Sequence, residues 1–160
     1  MKNRLKKVVL IIGILIVIIS IIVVLCFNNQ KSVLFKSSHI NYAWGYVNYG
    51  YIIYNDGVIQ QYDDSKEKRI KNLKKDKITK EELSQLKELS NKVEDKYEKN
   101  NNGWKMFDAG VSEKAIYSSR LSKFVILSRW GDSIGSNSTD TSKEILELTE
   151  KLYNKYLNNE

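Results

Sequence analysis

Two residues that occur once each bound the chemistry open to this chain: His39 is the only imidazole and Cys26 the only thiol. One histidine cannot assemble a multi-histidine metal centre, and one cysteine excludes an intramolecular disulfide. Ser133 follows Gly131-Asp132, a few residues after the apolar run Phe124 to Leu127, which is where a strand-end hydroxyl could act as a nucleophile. Such a hydroxyl needs a nearby base to take its proton. Carboxylates that could pair for general acid-base catalysis stand at Asp63-Asp64, at Asp108, and at Asp132 with Asp140. Adjacent residues at a strand end point to opposite faces, so Asp63 and Asp64 make a poor pair. The Asp132 to Asp140 loop lacks the alternating ligands of a calcium loop.

Gly131-Asp132-Ser133-Ile134 is similar to the Gly-Asp-Ser-Leu block of the SGNH hydrolases, a resemblance confined to these four residues. It implies Ser133 as nucleophile, with a histidine far downstream as base. Only 27 residues follow Ser133 and none is histidine, whereas the family's block opens its domain. The residues therefore assign no catalytic, cofactor-binding or metal-ligating role, and the bland expectation for Asp132 and Ser133 is a strand-to-loop turn. His39 is expected at the surface or at a strand edge. Cys26 reads first as a small apolar residue and second as a lipidation site.

Two clusters are better suited to binding. Lys66 to Lys80 holds eight basic residues and two acidic ones, and Lys66, Lys68, Arg69, Lys71, Lys74 and Lys75 could contact a polyanion such as lipid headgroups or wall teichoic acid. Six of the seventeen aromatics lie between Tyr42 and Tyr54, and Tyr42, Trp44 and Tyr46 could stack on the sugar rings of a glycan. The competing readings are a solvated connection for the first and core or cross-strand pairs for the second.

The elements that must carry these residues begin with a membrane anchor. Val8 to Phe27 is twenty uncharged residues, seventeen of them Ile, Leu, Val or Phe. At about 1.5 Å per residue they match the roughly 30 Å of bilayer hydrocarbon, and their transfer is favourable by on the order of 5 to 10 kcal/mol. Lys2, Arg4, Lys6 and Lys7 precede the run, which predicts a cytoplasmic N-terminus and an extracytoplasmic remainder. The run is long for a cleavable signal, and Leu25 is bulky for a lipoprotein site before Cys26. The four leading cations also supply much of the net charge of +7, which is therefore no nucleic-acid signature.

The expected organisation is a basic segment at 1–7, an anchor at 8–27, a linker at 28–38 and an α+β domain at 39–160. Asn55-Asp56-Gly57 between apolar runs predicts a hairpin. A helix is expected over Thr79 to Lys99, with Leu83, Leu86, Leu89, Val93 and Tyr97 on one face. Thr79 and Glu82 would form a capping box, and Asn100 to Gly103 the stop. A short strand is expected at Trp104 to Phe107 and further strands at Ala115 to Ser118 and Lys123 to Trp130, with Phe124 to Leu127 buried on both faces. Thr141 and Glu144 would cap a last helix carrying Ile145, Leu148, Leu152, Tyr153 and Tyr156. The fold class that follows is α+β: a two-layer domain with an antiparallel sheet of four or five strands and two helices, behind an N-terminal transmembrane helix.

Asn41-Tyr42-Ala43-Trp44-Gly45-Tyr46, Asp56-Gly57-Val58-Ile59, Asp108-Ala109-Gly110 and the stretch from Val125-Ile126-Leu127 through Gly131-Asp132 to Thr141-Ser142 resemble segments of small exported proteins of clostridia and related low-GC Gram-positive bacteria. The resemblance spans most of residues 38–157. It implies a bacterial cell-envelope location and no activity; the apolar run and its leading cations give the expected single-pass location in the cell membrane with the C-terminal domain outside. The expected function is a non-enzymatic binding or accessory module of the cell envelope, partnered by the bilayer and by a wall polymer or envelope protein, with neither nucleic acid nor a small-molecule cofactor. A hydrolase acting through Ser133 and Asp132, and a regulatory or immunity-type membrane protein, are the alternatives.

Overall fold

The computed structural model describes residues 32–43, 45–100, 110–131 and 134–158. From Val33 onward they belong to one compact unit, Val33–Glu160. Among the described residues no helix is long and apolar enough to cross a membrane. The expected anchor at 8–27, with Cys26, lies outside the described residues.

The strands are β1 (Val33–Asn41), β2 (Val47–Tyr54), β3 (Val58–Asp63), β4 (Lys75–Lys77), β5 (Tyr97–Lys99), β6 (Val111–Ser118), β7 (Lys123–Gly131) and β8 (Gly135–Asn137); the helices are α1 (Lys80–Lys92) and α2 (Asp140–Tyr156). They make one antiparallel sheet in the order β4-β3-β2-β1-β6-β7-β8-β5. The expectation of a four- or five-stranded sheet is thus corrected to eight strands. The excess is three strands of three residues each, Lys-Asp-Lys, Tyr-Glu-Lys and Gly-Ser-Asn, which carry no alternating apolar signal. β1 also takes in residues 33–38, which composition alone places in a linker.

Residues directly opposite on neighbouring strands share a face. Ile59, Ile53, Phe35, Ile116 and Val125 form one such row across five strands, and every one of them is fully buried. Against this face pack Leu86, Leu89 and Val93 around α1, and Ile145, Leu152 and Leu157 around α2. Each such side chain is worth roughly 1.5–3 kcal/mol of burial. Because the helices pack on this one face, Phe124 to Leu127 is not buried on both sides: Val125 and Leu127 are buried while Phe124 is 47% exposed.

The β2–β3 hairpin turns at Asn55-Asp56-Gly57, with Gly57 at φ 85° and the Val58 N–H donating to Asp56 Oδ1. α1 starts at the expected capping box of Thr79 and Glu82, but it stops at Lys92. Val93 turns its buried side chain into the core, and Tyr97 joins an edge strand instead of the helix. α2 is capped by Thr139, whose hydroxyl accepts from the Ser142 N–H, two residues ahead of the predicted Thr141. Trp104 to Phe107 lies outside the described residues.

Candidate functional site

The row of buried apolar residues ends abruptly along β1. Continuing from Phe35, the next positions on the same face are Ser37 and His39. Register sets Tyr51 and Gln61 on one side of Ser37 and Lys114 on the other, and it sets Tyr49 and Ser112 beside His39. The core face of the sheet therefore changes from hydrocarbon to hydroxyl, imidazole and ammonium within two residues. This polar floor belongs to a cleft of about 600 Å3.

Within it, His39 Nδ1 lies 2.8 Å from Ser112 Oγ, and the imidazole packs on the Tyr49 ring at a centroid distance of 5.2 Å. His39 is not at a strand edge. β1 sits between β2 and β6 in the interior of the sheet, and the imidazole is half-buried. Tyr153 of α2 forms one side, stacked on Tyr51 at 4.8 Å, whose hydroxyl donates to the Thr149 carbonyl. Burial pushes the Tyr51 hydroxyl well above the usual phenol range, so it stays protonated.

The other side is Arg69, Ile70 and Lys71, from the segment after β3. Asp63 holds this wall. The Ser65 N–H donates to its Oδ1 at 2.9 Å, while the N–H groups of Arg69 and Ile70 donate to Oδ2 at 2.5 and 2.8 Å. Lys68 Nζ also donates to the Asp63 carbonyl. Burial alone would raise the Asp63 carboxyl pKa, but these hydrogen bonds outweigh it and hold the group well below the usual carboxylate range. A buried aspartate, ionised at neutral pH, thus holds a basic loop beside the sheet. Further down the chain, the Asp64 and Lys66 N–H groups donate to the carbonyls of Asn48 and Tyr46 and extend the pairing with β2.

Arg69, Lys71 and Lys114 give the lining three basic side chains, and none of its residues carries a carboxylate. Arg69 and Lys71 are exposed and Lys114 partly buried, so the three act through solvent, and a concavity lined by one sign of charge concentrates anions. Of the six basic residues singled out from the sequence, Arg69 and Lys71 reach the cleft. Lys68 braces the loop, Lys75 is in edge strand β4, and Lys66 and Lys74 hold backbone hydrogen bonds to Tyr46 and Gln61. Tyr42 and Tyr46 stand 74% and 39% exposed at the β1–β2 turn, rings 5.6 Å apart, at the opposite end of β1 from Val33. Their partner in that expectation, Trp44, lies outside the described residues, as do Asp108, Asp132 and Ser133. Asp63 is buried and Asp64 exposed, and they form no acid pair.

Nothing local in the sequence brings His39, Ser112 and Lys114 together; strand register does. A signal was nonetheless present. In Phe35-Lys36-Ser37-Ser38-His39 and in Ser112-Glu113-Lys114-Ala115-Ile116, polar residues occupy the phase of the strand that carries the buried apolar residue. No family model, curated protein or solved structure matches this chain. Function therefore rests on the cleft itself.

Proposed function

We propose that this chain is a membrane-tethered binding module of the bacterial cell envelope that takes an anionic segment of a wall polymer into the cleft between β1, β6, α2 and the loop held by Asp63. The observation that carries this reading is the lining: two wall cations beside a floor of hydroxyl, imidazole and ammonium, without a carboxylate, next to aromatic rings suited to polyol or sugar. The apolar stretch 8–27 would be the tether, and its hydrophobicity and leading cations support a domain outside the cytoplasm. The exposed tyrosine pair at the β1–β2 turn adds a stacking surface for the same polymer. No observation favours the hydrolase or the regulatory alternative over it.

The test uses the full-length protein in detergent micelles, sedimented with purified Gram-positive cell walls before and after extraction of their anionic polymers. Binding is expected to need the anionic polymer and to weaken steeply as salt shortens the screening length from about 8 Å at 0.15 M towards about 3 Å at 1 M. The Arg69→Glu, Lys71→Glu, Lys114→Glu triple variant should lose it. Unchanged sedimentation of that variant, with its fold intact by circular dichroism, would overturn the reading.

A further inference from the structure

Resting on the anion-binding role above, we infer that the cleft seats one phosphate ester group, held from the floor by Ser112, His39 and Lys114 and from the wall by Arg69 and Lys71. The grounds are directional. A carboxylate presents two oxygens in one plane, which a single guanidinium can satisfy edge-on. A phosphate group presents its oxygens over a wide solid angle and requires donors from more than one side. Here the floor and the wall are different parts of the chain, meeting over one recess.

The floor donors are already aligned as a relay. His39 Nδ1 and Ser112 Oγ are 2.8 Å apart, and which atom donates is set by the imidazole tautomer. With an anion seated, the Ser112 hydroxyl donates outward to a phosphate oxygen and His39 Nδ1–H donates to Ser112 Oγ. The pair then acts as a chain of two donors pointing at the ligand. Lys114 lies on the same face of β6, two residues from Ser112, and adds the point charge. Tyr49 and Tyr153 border the floor and give the esterified polyol or sugar an apolar surface, so an ester is favoured over the free ion.

The only histidine makes the claim directly observable. With full-length protein labelled with 15N-histidine in micelles, the two imidazole nitrogens give one pair of signals. At constant neutral pH, glycerol 3-phosphate and inorganic phosphate should shift them saturably at about millimolar concentration, the ester more tightly, towards the Nδ1–H form. Ser112→Ala and Lys114→Gln should each weaken the ester by about tenfold, since each removes one hydrogen bond to a charged group. Lys143→Gln, on the exposed side of α2, should not. Competition by a phosphodiester wall polymer or by phosphatidylglycerol vesicles identifies the natural carrier, and either result supports the seat.

Absence of a saturable shift, or an equal response to acetate, overturns the phosphate seat. If charge reversal still abolishes wall binding in that case, the broader role stands and only the seat is lost. If charge reversal leaves wall binding intact, the role itself fails. Should Ser112→Ala unfold the domain, Lys114→Gln alone decides, because Lys114 is only partly buried.

Discussion

Replacing Asp63 by asparagine tests the view that one ionised carboxylate builds the cleft wall. The substitution keeps size and shape, and its amide oxygen can still accept from the Ser65 N–H. The amide nitrogen, however, takes the place of Oδ2, which accepts from the N–H groups of Arg69 and Ile70. Two hydrogen bonds to a charged acceptor are lost, each worth about 1.5–3 kcal/mol, and two donors are left facing a third. Against this, asparagine avoids the cost of burying a charge, and the loop from Lys68 to Lys71 can peel away locally while 64–66 stays paired with β2. A net loss of about 3 kcal/mol follows, a large share of a typical 5–15 kcal/mol. For a domain of this size it corresponds to a melting point about 10 °C lower.

The pH dependence supplies a second, independent signature. The folded pKa of Asp63 is depressed, so its stabilisation is complete above the unfolded value of about 3.9 and disappears as pH falls through the folded one. The stability gap between wild type and Asp63→Asn should therefore be constant near neutrality and close below about pH 4. Urea denaturation across pH measures the gap, and amide exchange at Arg69 and Ile70 locates it. A loss under about 1 kcal/mol with both amides as protected as in the wild type would refute the account, because an ordinary surface substitution does no more.

Two further substitutions test the frame around the cleft. Glu82 accepts from the Thr79 N–H at 2.9 Å, from Lys155 Nζ at 2.8 Å and from the Tyr156 hydroxyl at 2.7 Å; burial opposes ionisation, but these bonds prevail and hold its pKa at about 2, below the ordinary glutamate value of 4.5. With Lys155 largely in solvent, the link between α1 and α2 is screened and modest. That contribution is complete above pH 4.5 and lost as pH falls towards 2, so Glu82→Gln should flatten the acid limb of the stability curve there; an unaltered limb would disprove the link. Gly131 has φ 117°, and a β-carbon there would stand 1.9 Å from the Gly110 carbonyl oxygen across the β6–β7 pair. Gly131→Ala should cost at least about 3 kcal/mol and part the strands next to Ser112 and Trp130, and a melting curve that matches the wild type would contradict it.

Local chemistry was legible where a few neighbouring residues decide the outcome. Asn55-Asp56-Gly57 and the Thr79–Glu82 capping box each close within three or four residues, and both are found as read. The C-terminus of α1 was not legible, because Tyr97 continues the helical spacing and only β8, nearly forty residues later, draws it into a sheet. The strand count failed for the same reason. Lys75 to Lys77 becomes a strand through β3 and Gly135 to Asn137 through β7 and β5, and neither carries a pattern of its own. The cleft was least legible of all. His39 and Ser112 are 73 residues apart, and their meeting depends on the register of β1 against β6, which a one-residue slip would abolish.

The basic run from Lys66 to Lys80 shows how one composition divides into separate physical tasks once the chain is folded. Asp63 holds the backbone of Arg69 and Ile70, and with it Lys71, beside the sheet, where Arg69 and Lys71 line the cleft while staying exposed to solvent. A few residues on, Lys75-Asp76-Lys77 forms an exposed outer strand whose ammonium groups discourage another chain from adding to the sheet, and Tyr97-Glu98-Lys99 guards the far edge in the same manner. The two tasks separate by experiment. Neutralising Lys75 and Lys77 should promote association at high protein concentration while leaving wall binding in place. Neutralising Arg69 and Lys71 should do the reverse, since what matters at the edge is repulsion between copies and what matters in the cleft is attraction for a ligand.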